Sequence, residues 1–179
     1  MRRSHALTAA AIAVASLVSV AAWAGQEKRE HPGINNYTQV DAVVACGGAT
    51  DVQALDALKK EGFTSVVNLR QSSERGANVE ASMAEAKAVG LKYFHLPING
   101  GSPDPAIVDQ FLQVVSTKAN QPVFIHCASA NRVGMVWLVK RVLQDKWTIE
   151  KATAEAHLIG LTSPALEKFA LDYIGQHKP

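Results

Sequence analysis

The chain has 179 residues, with 18 basic and 16 acidic side chains, and a net charge of +2 at neutral pH. The excess disappears when Arg2 and Arg3 are set aside, so the rest of the chain offers no basic surface for nucleic acid or for a membrane. Two cysteines in a chain of this length do not indicate a disulfide-dependent fold, because a domain of this size can build its own core.

The N-terminal residues have the pattern of a secretory signal peptide. A Met-Arg-Arg start is followed by a mostly apolar run, which ends in Ala-Trp-Ala just before Gly25. The apolar run is shorter than the ~20 residues that span a membrane. We therefore expect residues 1–24 to be removed, no stable membrane span to remain, and the protein to be periplasmic or secreted. Residues 25–36 are polar, with Pro and Gly, and are predicted to be an N-terminal tether to one domain at 37–179.

Apolar runs and amphipathic segments alternate through that domain. The predicted strands cover residues 40–45, 64–69, 91–96 and 122–125, and the predicted helices cover about 51–62, 78–89, 106–116, 132–142, 148–158 and 164–174. This alternation predicts a single three-layer α/β domain, with a central four- to five-stranded, mostly parallel sheet and helices on both faces. The run 122–125 is wholly apolar, which predicts a strand in the middle of the sheet.

The loop after this central strand is the predicted site of chemistry. Cys127 comes where open α/β sheets bind ligands, at the carboxyl edge of the strands, and a helix begins near Arg132. Backbone N–H groups of such a turn can surround an anion, and this field favours a cysteine thiolate. Arg132 can hold two oxygens of a tetrahedral oxyanion. The alternative is a buried structural thiol; the polar turn and the arginine favour a nucleophile.

The sequence His126-Cys127-x-x-x-x-Arg132 resembles the signature loop of the cysteine-dependent tyrosine and dual-specificity phosphatases. Segments 62–74 and 90–98 resemble strands that accompany this loop, and the greatest likeness is to the bacterial beta-lactamase-hydrolase-like phosphatases. The resemblance implies hydrolysis of phosphate esters through a cysteinyl-phosphate intermediate, without a cofactor or a metal, on a phosphorylated substrate whose class is open.

The resemblance also assigns roles around the nucleophile. His126 is expected to orient the loop. The residues that would surround the phosphoryl group, in addition to His126, are Ala128, Ser129, Ala130 and Asn131. The side chains of Ser129 and Asn131 either donate to the loop or the substrate or only stabilise the turn, and the second interpretation is favoured. Related phosphatases carry a general acid on the loop after the 91–96 strand, where Asp104 is the only acid. Asp104 is therefore either that acid or the cap of the helix near residue 106.

Departures from the family pattern leave two other functions open. Four residues rather than five separate Cys127 from Arg132, a spacing typical of rhodanese-like sulfurtransferases, whose cysteine carries a persulfide. Ala130 stands in place of the loop glycine and is expected to resist a positive φ. Val133 replaces the hydroxyl residue that usually follows the arginine. Together with the missing acid near Asn99, this also fits a catalytically weak anion-binding or redox-responsive module.

Three further side chains receive an interpretation from their positions alone. Cys46 follows the first predicted strand and either forms a redox-sensitive disulfide with Cys127 or is a half-buried thiol. Arg70 and Glu74 either pair near the rim of the site or form an ordinary surface ion pair, and the second interpretation is favoured.

Overall fold

The computed structural model describes residues 27–178, so the predicted signal segment 1–24 lies outside the described part. Six strands and six α-helices alternate through residues 27–178. The strands are β1 (Glu27–Lys28), β2 (Thr38–Asp41), β3 (Val44–Gly47), β4 (Ser65–Asn68), β5 (Lys92–His95) and β6 (Val123–His126). The helices are α1 (Ala54–Lys60), α2 (Val79–Val89), α3 (Pro105–Ser116), α4 (Asn131–Leu143), α5 (Ile149–Ile159) and α6 (Pro164–His177).

The strands form one sheet in the order β1-β2-β3-β6-β4-β5. β6 runs parallel to both of its neighbours, and β4 and β5 are also parallel, whereas β1 and β2 join the edge antiparallel. The predicted mainly parallel sheet is therefore confirmed, and the wholly apolar strand lies inside it. The sheet has six strands rather than four or five because the N-terminal region adds more strands than its sequence indicated.

The predicted strand at 40–45 is in fact a hairpin. The chain reverses after Asp41, whose side-chain oxygen accepts a hydrogen bond from the N–H of Val43 at 2.9 Å. Such a bond from an Asp to the backbone two residues later stabilises a turn. The pairing of β2 with β3 is also irregular between Gln39 and Asp41. An apolar run thus spans the end of one strand and the start of the next.

From residue 27 onward, the segment predicted to be a tether packs on the domain instead. Glu27 and Lys28 pair with β2, and Ile34 is only 5% exposed. The buried His31 ring bonds to Glu61 through Nε2 at 3.0 Å. The polar composition of this segment misled the prediction, because two buried side chains, His31 and Ile34, attach it to the domain although most of its residues are exposed.

Helices cover both faces of the sheet, as predicted. α1 and α2 pack Leu55 and Ala86 against one face, together with Phe124 of β6. α3 to α6 cover the other face, where Ile125 and Cys127 lie in the larger core. Side chains of adjacent strand residues point to opposite faces. Cys127, two residues after Ile125, therefore lies on the same face as Ile125. Within the part of the chain described, no helix is long and apolar enough to cross a membrane.

Candidate active site

Cys127 lies at the carboxyl edge of the central strand. Its N–H continues the ladder to β3 by donating to the carbonyl of Gly47 at 3.3 Å, which fixes the start of the loop. Its side chain is 0% exposed, whereas the next two residues, Ala128 and Ser129, are exposed. The side chain of Cys127 therefore lies in the larger core, at the point where the loop begins.

The loop turns into α4 through a left-handed residue. Ala130 has φ +69° and ψ 1°, so alanine adopts the conformation that the sequence predicted it would resist, at a cost of ~1 kcal/mol. Its buried methyl group and its carbonyl, which accepts from the N–H of Gly134 at 2.9 Å, hold it there. The first N–H groups of α4 have no acceptor within the helix. They are therefore available to an anion beside Cys127.

Hydrogen bonds to three residues hold the two terminal nitrogens of the Arg132 guanidinium in place. Its Nη1 donates to the carbonyls of Leu69 (3.2 Å) and Ile98 (2.9 Å) and to Glu74 Oε1 (2.5 Å), while Nη2 donates to Glu74 Oε2 (2.8 Å). None of these four bonds uses Nε. The edge formed by Nε and the second Nη2 hydrogen is the part of the planar guanidinium that remains for an oxyanion.

Two opposing effects act on the charge of Arg132. Burial lowers the pKa of its guanidinium, but the hydrogen bond and charge of Glu74 and the charge of the Cys127 sulfur outweigh burial and raise the pKa above the ordinary value of an arginine. Arg132 therefore keeps its positive charge although only 9% of it is exposed. A permanent cation beside the sulfur stabilises the negative charge of a thiolate and of a bound phosphoryl group.

Glu74 has a different role from the one that its sequence position suggested. It bridges Arg132 and Arg70, whose Nε lies 3.3 Å from Glu74 Oε2, and both arginines are buried. Burial alone would raise the pKa of Glu74, but the bonds from Arg132 and from the N–H of Gln71 lower it to about 2. The interpretation as a surface ion pair is wrong: Glu74 is the counter-charge that orients Arg132. Its position after β4, at the same sheet edge as Cys127, was the available signal.

We expect Glu74→Gln to destabilise the protein by about 3 kcal/mol, because it leaves buried guanidinium groups without their counter-charge. The folded-state pKa of Glu74 is lower than its ordinary value of 4.5, so its stabilising effect is complete above pH ~4.5 and is lost as the pH falls toward 2. Urea unfolding of both proteins from pH 7 to pH 3 measures this. The difference in unfolding free energy should shrink as the pH falls; a constant difference would contradict the assignment.

His126 does not contact the inside of the loop. Its ring stacks on Phe124, with ring centroids 5.7 Å apart, on the sheet face opposite to Cys127. Burial and the charge of Arg70 lower the pKa of His126 to about 3 against the opposing effect of backbone groups of Gly48 and Cys127, so the ring is neutral. Among residues 27–178, neither ring nitrogen has a hydrogen-bond partner of normal geometry. The role of His126 in orienting the loop stays a prediction.

Asn131 is a structural residue rather than a ligand for the phosphoryl group. Its Oδ1 accepts from the N–H groups of Thr162 (2.8 Å) and Ser163 (2.9 Å), and its Nδ2 donates to the Thr162 hydroxyl (2.9 Å). These three bonds tie the start of α4 to the connection between α5 and α6. They agree with the favoured interpretation of the Asn131 side chain, which is that it stabilises the turn.

Asp104 caps α3, as one of its two predicted roles required. Its Oδ1 accepts a hydrogen bond from the N–H of Ala106 at 2.9 Å, and the residue is exposed. A carboxyl group has a second oxygen, so capping does not prevent proton donation. Asp104 remains the proposed general acid.

Cys46 lies on β3, opposite Ile125 of β6, and shares the larger core with Cys127. Both thiols are free. Cys46 is fully rather than half buried, and burial, aided by the charges of Glu155 and Asp41, raises the pKa of its thiol well above 9. Cys46 is therefore an inert core thiol in this state. Within residues 27–178, no group of His, Cys, Asp and Glu side chains is arranged to hold a metal ion.

Comparisons with known proteins agree with this geometry. The family described as DSP-PTPase phosphatase fused to NAD+ kinase matches residues 10–170. The beta-lactamase hydrolase-like protein of Xylella fastidiosa is 25% identical over 119 residues, which cover 65% of this chain but 27% of that protein. The chain thus spans about a quarter of the length of this curated relative.

Two solved structures share the fold. A DUF442 phosphatase from Shewanella putrefaciens CN-32 is 17% identical, with a TM-score of 0.69, over 82% of this chain and 94% of its own. TpbA from P. aeruginosa, in a structure with phosphotyrosine bound, is 18% identical, with a TM-score of 0.64, over 89% of this chain and 93% of its own. The resemblance to cysteine-dependent phosphatases that the loop sequence suggested is confirmed.

Proposed function

The chain belongs to the family of DSP-PTPase phosphatases, and from this we propose that it hydrolyses phosphate monoesters through a cysteinyl-phosphate on Cys127. One observation carries the proposal. Arg132 is clamped from behind by Glu74 and two carbonyls, so the Nε edge of its fork remains for an oxyanion beside the sulfur. A planar two-point donor at a developing oxyanion is the arrangement that phosphoryl transfer requires.

The proposed reaction has two steps. The Cys127 thiolate attacks phosphorus, a sulfur–phosphorus bond forms, and the ester oxygen leaves with its bonding electrons and takes a proton from Asp104. Water then attacks phosphorus and gives a proton back to Asp104, the sulfur–phosphorus bond breaks, and inorganic phosphate and the thiolate are released. Arg132 and the loop N–H groups hold the phosphoryl oxygens in both steps. TpbA in complex with phosphotyrosine supports a substrate of the tyrosine or dual-specificity type.

We expect Asp104→Asn to separate the two roles of this side chain. Asparagine caps a helix about as well as aspartate, so stability should change by less than ~0.5 kcal/mol. Loss of the proton donor should lower kcat by about 10²–10⁴ for alkyl phosphates, with a smaller effect on aryl esters, whose leaving groups need less help. Steady-state rates on both ester types measure this. Equal rates for variant and wild type on both would leave Asp104 as a helix cap only.

The four-residue spacing between Cys127 and Arg132 favours one competing reaction, sulfur transfer through a persulfide. Tungstate should inhibit the protein competitively against an aryl phosphate and protect Cys127 from alkylation if it is a phosphatase. Intact-mass measurement after thiosulfate treatment should show no added sulfur. A gain of one sulfur on Cys127, removable by cyanide, without protection by tungstate, would support the sulfurtransferase instead.

Export to the periplasm or the medium is part of the proposal. It rests on the signal-like pattern of residues 1–24. N-terminal sequencing of the protein recovered from expressing cells should begin at Gly25; a chain that keeps its apolar N-terminus would contradict the proposed cleavage.

A further inference from the structure

The segment before β2 contacts the loop that carries Cys127 through the side chain of Asn36. Asn36 has a left-handed backbone (φ +52°), and its Nδ2 lies 3.0 Å from the carbonyl of Ile159 and 3.4 Å from the carbonyl of Ser129. Its Oδ1 accepts from Lys28 Nζ at 2.5 Å. The side chain therefore connects β1, the end of α5 and the loop that carries Cys127.

These contacts fix the direction of two peptide groups in the loop. The carbonyl of Ala128 accepts from the N–H of Ala49 at 2.8 Å, and the carbonyl of Ser129 accepts from Asn36. In a planar trans peptide, the N–H of the next residue points away from the carbonyl. Holding both carbonyls outward therefore turns the N–H groups of Ser129 and Ala130 toward the inside of the loop, where an anion would bind.

A residue with a side chain would not fit at position 160, which lies beside the contact of Asn36 with Ser129. A Cβ at this position would lie 2.8 Å from Asn36 Nδ2, 3.0 Å from the Cβ of Ala130 and 3.2 Å from the carbonyl oxygen of Ser129. Gly160 also has φ +143°, which an L-residue with a side chain rarely adopts. Any larger residue here would push the amide of Asn36 away from Ser129.

We infer that Asn36 is a positioning residue for anion binding: by holding the carbonyl of Ser129 outward, it keeps the N–H of Ala130 directed at a bound oxyanion. The inference rests on the proposed phosphatase function. It adds a residue from outside the signature loop, in the segment whose sequence predicted only a tether. Asn36 touches neither Cys127 nor Arg132 in any contact above, so it acts through the loop backbone alone.

Asn36→Gly removes the amide but keeps a backbone that accepts a positive φ. The matched control is Asn78→Gly, because Asn78 is also exposed and left-handed (φ +44°), and its side chain makes no capping bond to α2. Tungstate affinity, measured by calorimetry, should fall about three- to tenfold in Asn36→Gly, the effect of losing one hydrogen bond, and change less than about twofold in Asn78→Gly. Equal affinities in the two variants would overturn the inference.

Gly160→Ala provides a second measurement from the opposite side of the contact. It should also weaken tungstate binding, and the thermal midpoint of each variant identifies any loss of folded protein. Binding that stays at the wild-type value in a folded Gly160→Ala variant would count against the inference. Calorimetry needs no turnover, so a wild type that binds tungstate but hydrolyses no aryl phosphate would refute the proposed reaction while the comparison of Asn36→Gly with Asn78→Gly still decides this inference.

Discussion

Cys127→Ser is expected to abolish turnover, with a loss on the order of 10⁵-fold or more in kcat, as in other enzymes that lose their nucleophile. A serine hydroxyl is a far weaker nucleophile than a thiolate. The neighbouring His126 is a poor base for it, because its pKa is lowered to about 3 and its ring lies on the other face of the sheet. Rates on an aryl phosphate measure the loss. The variant should still bind tungstate, because Arg132 and the loop N–H groups are unchanged.

The control for this experiment is the second thiol. Cys46→Ala removes a sulfur that is equally buried, lies on the neighbouring strand and remains protonated because burial raises the pKa of its thiol. We expect this variant to keep wild-type turnover per folded molecule. Hydrolysis near the wild-type rate in Cys127→Ser would remove Cys127 from the proposed role. Loss of hydrolysis in a folded Cys46→Ala variant would contradict the assignment of Cys46 as an inert core thiol.

The fold was predictable where local pattern and tertiary role coincide. The wholly apolar run 122–125 was predicted as a strand in the middle of the sheet, and β6 lies inside the sheet. The hairpin at Asp41 was missed because apolar residues continue through the turn and a single side-chain bond ends the strand. Composition could not show that the segment before Asn36 packs on the domain.

The residues of the site also differ in how far the sequence could predict them. Cys127 and Arg132 lie in one short loop, so spacing alone associates them. The residues that position this loop come from far along the chain: Glu74 is 58 residues before Arg132, and Asn36 is 93 residues before Ser129. Such contacts depend on strand order, which periodicity does not specify, since β4 and β3 become neighbours of β6 only through crossovers.

Arg132 performs two tasks that a single ammonium group cannot combine. Its Nη atoms bond to Glu74 and to the carbonyls of Leu69 and Ile98, while its Nε edge remains for the oxyanion. Lysine has one nitrogen on a flexible stem. If that nitrogen pairs with Glu74, it no longer reaches the phosphoryl oxygens, and if it turns toward the anion, Glu74 loses the partner that lowers its pKa to about 2.

Arg132→Lys should therefore lower kcat/KM by about 10²–10³, the cost of losing one donor aimed at a developing oxyanion, and weaken tungstate binding in parallel. The matched control is Arg141→Lys. Arg141 is 8% exposed against 9% for Arg132, and it bonds to Glu155 in a network away from the loop. Both variants should lose stability, as thermal midpoints will show, but only Arg132→Lys should lose anion affinity and turnover. If the two variants show equal kcat/KM per folded molecule, the fork of Arg132 does not hold the phosphoryl group.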